Sequence, residues 1–125
     1  MRYLGVDYGL KKIGLAISEG QLSSIYQVLE IDGLEDALEK VKRIIDKEKI
    51  DRVVIGKPEG KMGENVDKFI KLLKKDIVVI ETEETLSSVN AKKLMVDLNL
   101  SRKERQKEDA YAAALILQNF LDSLN

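Results

Sequence analysis

Apolar positions in the first thirty residues fall in short runs, and after residue 33 the period of the pattern switches repeatedly. Residues 2–7 (RYLGVD) form one apolar run broken by Gly5, and residues 13–18 (IGLAIS) form another. The intervening YGLKK contains a glycine and has the length of a hairpin turn. Residues 25–31 (IYQVLEI) alternate, which predicts a third strand and with it an antiparallel meander. Across 33–49, Leu34, Ala37, Leu38, Val41, Ile44 and Ile45 recur at helical spacing. Residues 52–56 (RVVIG) read as a short buried strand, and Val66, Phe69, Ile70 and Leu73 mark a helix over 63–75. A four-residue strand is expected at 77–80 (IVVI), then a helix from Leu86 to Leu98 with Leu94 and Leu98 on one stripe. The last helix is expected over about 106–123, with Ala113, Ile116, Leu117, Phe120 and Leu124 on one face.

The order is therefore βββαβαβαα, without internal repeats, linkers or low-complexity tracts. Strands that alternate with helices need parallel, right-handed crossovers. The expected fold is α/β, a mixed five-stranded sheet in which the second strand runs antiparallel to the first, fourth and fifth, with helices on both faces. Ligands of such sheets gather at the carboxyl ends of the strands. That rule singles out Asp7, the Gly56–Gly63 segment and Glu81–Glu84.

Composition narrows the chemistry. A length of 125 residues fits one domain spanning 1–125. The chain has no histidine and no cysteine. This excludes disulfides, thiolate nucleophiles, imidazole acid–base catalysis and His- or Cys-ligated metals. Any catalysis must use carboxylates, lysine, hydroxyls or an oxygen-bound metal. Arg2–Gly9 lacks the long apolar run of a signal peptide, and no stretch reaches the roughly 18 apolar residues of a membrane span, so a cytoplasmic protein without membrane contact is expected. Net charge is −1, yet residues 52–75 carry seven basic against three acidic residues, enough for a locally basic face.

Asp7 ends an apolar strand, where an unpaired carboxylate is costly, although an Asx-turn across the hairpin would also explain it. Asp109 lies four residues before Ala113 and eight before Leu117, extending the buried stripe of the last helix. An acid on such a face should be paired, coordinated or protonated, the alternative being a helix N-cap. Glu81, Glu83 and Glu84 crowd one strand end, which calls for solvation or a bridging cation. The GKPEGKMG segment, with Lys57 and Lys61, could approach an anion through its backbone, and a plain strand-to-helix turn explains it nearly as well. Together these acids converge on one end of one sheet. Oxygen-only ligands there suit Mg²⁺ or Mn²⁺, and two such ions can clamp the oxygens of a phosphodiester. Flanking Lys11, Lys12, Lys57, Lys61 and Arg105 would follow a nucleic-acid backbone.

Four segments carry a resemblance: VDYGLKKIGLAIS at 6–18, VVIGKPEGKMGENVDKFIKLL at 53–73, TEETLSSVNAKKLM at 82–95 and KEDAYAAALILQNFLD at 107–122. In this order they resemble the motif blocks of the YqgF/RuvX family. Its members are small bacterial ribonuclease-H-like proteins, described as Holliday-junction resolvases and as nucleases that mature the 5′ end of pre-16S ribosomal RNA. The resemblance implies a ribonuclease-H-like sheet of order 3-2-1-4-5. It also implies a catalytic, metal-binding acid set of Asp7, Glu84 and Asp109, with Glu83 standing where the family usually has Asp. Thr85 replaces the family's arginine, and Lys57 stands where an apolar residue is usual.

The first expectation is thus a Mg²⁺- or Mn²⁺-dependent endonuclease acting on pre-rRNA or branched DNA, with a ribosomal subunit as a further partner. Nothing in the pattern marks a dimer seam, so a monomer or weak homodimer is expected. Two other readings stand beside it. Asp7-Tyr8-Gly9 and Gly14 also resemble the first phosphate loop of the actin/hexokinase ATPases, which use two domains where this length supplies one. The third reading is a catalytically silent RNA- or ribosome-binding module.

Overall fold

The computed structural model describes residues 1–57, 62–83 and 108–124. The strands are β1 (Tyr3–Tyr8), β2 (Lys12–Glu19), β3 (Leu22–Glu30), β4 (Arg52–Lys57) and β5 (Val78–Glu83). The helices are α1 (Leu34–Glu48), α2 (Met62–Leu73) and α3 (Glu108–Ser123). The five strands form one sheet in the order β3-β2-β1-β4-β5. β2 is antiparallel to β1 and β3, whereas β4 runs parallel to both β1 and β5. This is the expected mixed sheet, and IYQVLEI pairs with IGLAIS as the meander requires.

Side-chain alternation divides the sheet into two apolar faces. Leu4, Val6, Ile13, Leu15, Val53 and Ile55 face α1 and α2, meeting Ala37, Val41, Ile44, Val66, Phe69 and Leu73. Their alternate neighbours Ala16 and Val54 face α3, where they meet Ala113, Ile116, Leu117 and Leu121. Burying a side chain such as Phe69, which is fully covered, stabilises by about 1.5–3 kcal/mol. β1 is the central strand and is covered on both sides, so it reads as a run rather than an alternation.

α3 comes close enough to the sheet to touch its backbone. A Cβ on Gly5 would lie 2.8 Å from the Ala113 carbonyl oxygen and 2.8 Å from the Leu117 Cβ. A Cβ on Gly14 would lie 1.9 Å from the Asp109 carbonyl oxygen, well inside van der Waals contact. Asp109, Ala113 and Leu117 are successive i, i+4 positions, so one ridge of α3 rests on two glycines of neighbouring strands.

Two strand boundaries differ from the sequence pattern: β3 begins at Leu22, three residues before the expected run. α3 ends at Ser123 as expected, so Leu124, placed on the apolar stripe by its spacing, is exposed, and Leu121 is buried instead. β5 continues through Glu83, beyond the apolar IVVI run, because Ile55, Gly56 and Lys57 of β4 pair with Glu81, Thr82 and Glu83. The expected helix at 86–98 lies outside the described residues. Among the described residues no helix is long and apolar enough to cross a membrane.

Candidate active site at the carboxyl end of the central strand

Asp7 is the penultimate residue of β1 and only 7% exposed. Tyr3, two alternations earlier, packs in the α3-side cluster, so Asp7 shares the α3 face. Its neighbours in the sheet are glycines on both sides, Gly14 of β2 and Gly56 of β4. Beyond Gly56 in the same row comes Thr82 of β5, whose hydroxyl donates to the Ile55 carbonyl at 3.4 Å. The carboxylate thus stands between two positions without side chains, with Val28 and Thr82 one strand further out on either side.

Asp109 reaches the same place from the other layer. It is half-buried and lies within α3, which sets aside the N-cap alternative. Its carbonyl sits over Gly14, the residue directly opposite Asp7. Opposed residues of an antiparallel pair have Cα atoms about 4.5–5.5 Å apart, so the backbones bearing the two acids meet at one strand pair. Both acids make interactions within the fold.

The other candidate residues are spread more widely. Lys11 and Lys12 are exposed in the β1–β2 hairpin, at the same end of the sheet as Asp7. Lys57 instead pairs with Asp67 of α2 at 2.9 Å and stands 4.0 Å from Glu81. The Asp67 carboxylate raises the Lys57 ammonium pKa above its ordinary value, chiefly through this hydrogen bond. Glu81 is also 3.5 Å from Lys74, so this acid of the crowded strand end belongs to an ion-pair group with α2. Glu83 has its backbone paired with Lys57 at the end of β5. Glu84, Lys61 and Arg105 lie outside the described residues.

Gly14 carries a role that hydrophobic patterning did not disclose. A glycine placed opposite the strand-end acid was the available signal, but only the crossing of α3 over β2 gives it meaning. Among the described residues no three acids cluster closely enough to enclose a metal. The carboxylates of Asp7 and Asp109 are oxygen donors, the type that Mg²⁺ and Mn²⁺ accept.

Residues 1–123 match the family described as "RuvX: Holliday junction resolvase". The chain belongs to the RuvX family. A relative from Desulforamulus reducens, named "Putative pre-16S rRNA nuclease", is 35% identical over 134 residues covering 98% of each chain. A relative of the same name from Clostridium botulinum is 37% identical, covering 100% of this chain and 99% of its own. Among solved structures, the Thermus thermophilus RuvC complex with a Holliday junction substrate has a TM-score of 0.64 at 16% identity, over 99% of this chain and 95% of that one. The fowlpox virus Holliday junction resolvase has a TM-score of 0.65 at 19% identity, over 98% and 99%. This RuvX chain therefore has the ribonuclease-H-like fold of the resolvases. A Bacteroides thetaiotaomicron protein with an actin-like ATPase fold is also similar, at TM-score 0.53 and 12% identity, but the match covers only 65% of this chain and 32% of that one. The likeness to ATPases is thus one of partial fold.

Proposed function

We propose that this chain is a divalent-metal-dependent phosphodiester hydrolase that trims the 5′ end of the 16S ribosomal RNA precursor in the cytoplasm. The observation that carries the reading is the meeting of Asp7 and Asp109 at Gly14, on the face where a helix and a central strand end together. The relatives' shared name supports the substrate. Asp7 and Asp109 would hold Mg²⁺ or Mn²⁺, with Glu84 as third ligand and Glu83 as its alternative. When bound, such an ion supplies Lewis-acid charge for phosphodiester hydrolysis. The chain itself supplies the rest. Burial of Asp7 limits water around its carboxylate, and the β1 backbone fixes its direction. Lys11 and Lys12 hold backbone phosphates beside the site, with Lys61 and Arg105 as further contacts and Lys57 available only by exchange with Asp67.

A second reading, cleavage of four-way DNA junctions, is favoured by the resolvase description of the family. Symmetric cutting of a junction needs two sites related by a twofold axis, whereas RNA trimming needs one. A monomer or weak dimer working on RNA, docked on a ribosomal subunit, is therefore preferred. The test is cleavage of a 16S precursor and of a four-way junction by the wild type and by Asp7→Asn. Asp7→Asn should abolish cleavage while circular dichroism stays native, and chelation by EDTA should do the same. Cleavage surviving either change sinks the mechanism, and symmetric cutting of the junction alone by a tight dimer transfers the substrate to DNA. Glu84→Gln compared with Glu83→Gln identifies the third acid.

A further inference from the structure

We propose that Gly14 is a positioning residue that sets the separation of Asp7 and Asp109 by letting the first turn of α3 rest on the β2 backbone. This rests on the assignment of the two acids to one metal site. Three observations meet at this position. Gly14 is the cross-strand partner of Asp7. An added Cβ would overlap the Asp109 carbonyl oxygen at 1.9 Å and the carbonyl carbon at 2.1 Å. The Ala110 amide nitrogen, next along the helix, would be 2.7 Å away. All three obstructing atoms are backbone, so no side-chain rotation relieves the overlap. Any side chain here must lift the start of α3 from the sheet and carry Asp109 away from Asp7.

Gly5 provides an internal control on the same helix. Its missing Cβ accommodates the Ala113 carbonyl and the Leu117 side chain, one and two helical repeats further along. Alanine at Gly5 disturbs the docking of α3 where no acid is carried. Alanine at Gly14 disturbs it where Asp109 is carried. General loss of packing strikes both variants, whereas loss of acid placement strikes only one.

The test combines metal titration, followed by the shift in melting temperature with added Mn²⁺, and amide hydrogen exchange along α3. Gly14→Ala should raise the half-saturating Mn²⁺ concentration about 10-fold or more, the usual effect of disturbing what orients a metal ligand. It should also speed exchange in the first turn of α3. Gly5→Ala should melt lower than wild type but keep the wild-type half-saturation. In the Gly14→Ala background, Asp109→Glu should recover part of the Mn²⁺ response, because the longer side chain regains reach. Where Gly14→Ala does not fold, Asp109→Glu alone decides. With Gly14 present the backbone of residue 109 stays seated on β2, so the longer side chain carries its carboxylate past the position set for aspartate and half-saturation should rise several-fold. Equal Mn²⁺ response in Gly14→Ala and wild type, or an Asp109→Glu response unchanged from wild type, overturns the role of Gly14 and leaves the metal site standing. A wild type that shows no Mn²⁺ response overturns the metal site itself. In that case first-turn exchange unchanged in Gly14→Ala removes the steric seat as well.

Discussion

The rings of Tyr8 and Phe69 meet with centroids 4.8 Å apart and planes tilted by 41°. Tyr8 follows Asp7 directly and points to the opposite face, so this contact ties the acid-bearing end of β1 to α2. Such a ring pair contributes about 0.5–1.5 kcal/mol beyond its buried area. Phe69→Ala should lose about 3–5 kcal/mol, by the combined loss of transfer energy and opening of a cavity. Phe69→Leu should lose about 1 kcal/mol, the ordinary scale of a core substitution, and leave the Mn²⁺ half-saturation unchanged. Denaturant melts measure the first two losses. A shifted half-saturation in Phe69→Leu would mean that the two faces of β1 are coupled.

In the proposed site, Asp7 and Asp109 would repel each other when no metal is bound. Asp109→Asn keeps the side-chain shape and would remove that repulsion, so in EDTA it should melt higher than wild type, by about 1 kcal/mol, the scale of one pKa unit. Mg²⁺ should stabilise the wild type by mass action and this variant much less. A variant that melts lower in EDTA, with an undiminished Mg²⁺ response, would give Asp109 a helix-dipole role only.

Nucleic-acid binding should weaken steeply with salt. Removing one phosphate-binding charge should flatten the log–log slope by about 0.7–0.9. Lys11→Glu and Lys12→Glu should each show this flattening, since both stand exposed at the end of the sheet bearing Asp7. Lys57→Glu should change the slope less, because its ammonium already has Asp67 at 2.9 Å. Fluorescence titrations across a salt series check the ranking, and a Lys57 effect equal to the other two would show that nucleic acid displaces Asp67.

On the acid side of the stability curve, Asp36 is the residue to change. Its carboxylate accepts from the Asp32 N–H at 2.8 Å and pairs with Lys40 at 3.1 Å. The Asp32 bond first, and Lys40 second, hold its pKa below the ordinary carboxylate value. A lowered folded pKa contributes stability that is present above the unfolded value, about 4, and is lost as pH falls through the folded value. Asp36→Asn should therefore melt lower than wild type at neutral pH and converge with it as pH falls through the folded value. Melting temperatures that stay apart once the wild-type carboxylate is fully protonated would assign the effect to something other than this charge.

Much of the architecture could be read from residue order. IGLAIS and IYQVLEI lie in strands of the meander because short apolar runs flank a glycine turn, and α1 follows its apolar stripe closely. Period alone hid three things. β5 runs into Glu81–Glu83 because β4 offers an unpaired edge and Lys74 and Lys57 approach Glu81, neither of which a local window contains. Leu124 keeps the helical spacing of the stripe but falls past the end of α3. The Lys57–Asp67 pair is equally invisible to a local window, because Asp67, ten residues on, becomes a neighbour of Lys57 only when α2 folds back along β4. Asp7 and Asp109 were marked by the cost of placing acids among apolar residues. Their meeting at Gly14 depends on where one layer crosses another.

In the proposed metal site, the paired strands on both sides of β1 would divide the labour between the two acids. Asp7 belongs to a backbone hydrogen-bonded left and right, of the sort that exchanges its amides only when the whole domain opens. Asp109 belongs to the first turns of a helix, which open at far smaller cost. Such a site would be a vice with one fixed jaw and one movable jaw. Its grip would be set by how firmly the leading end of α3 is seated, so changes that loosen that helix end should release a bound ion long before they unfold the sheet beneath it.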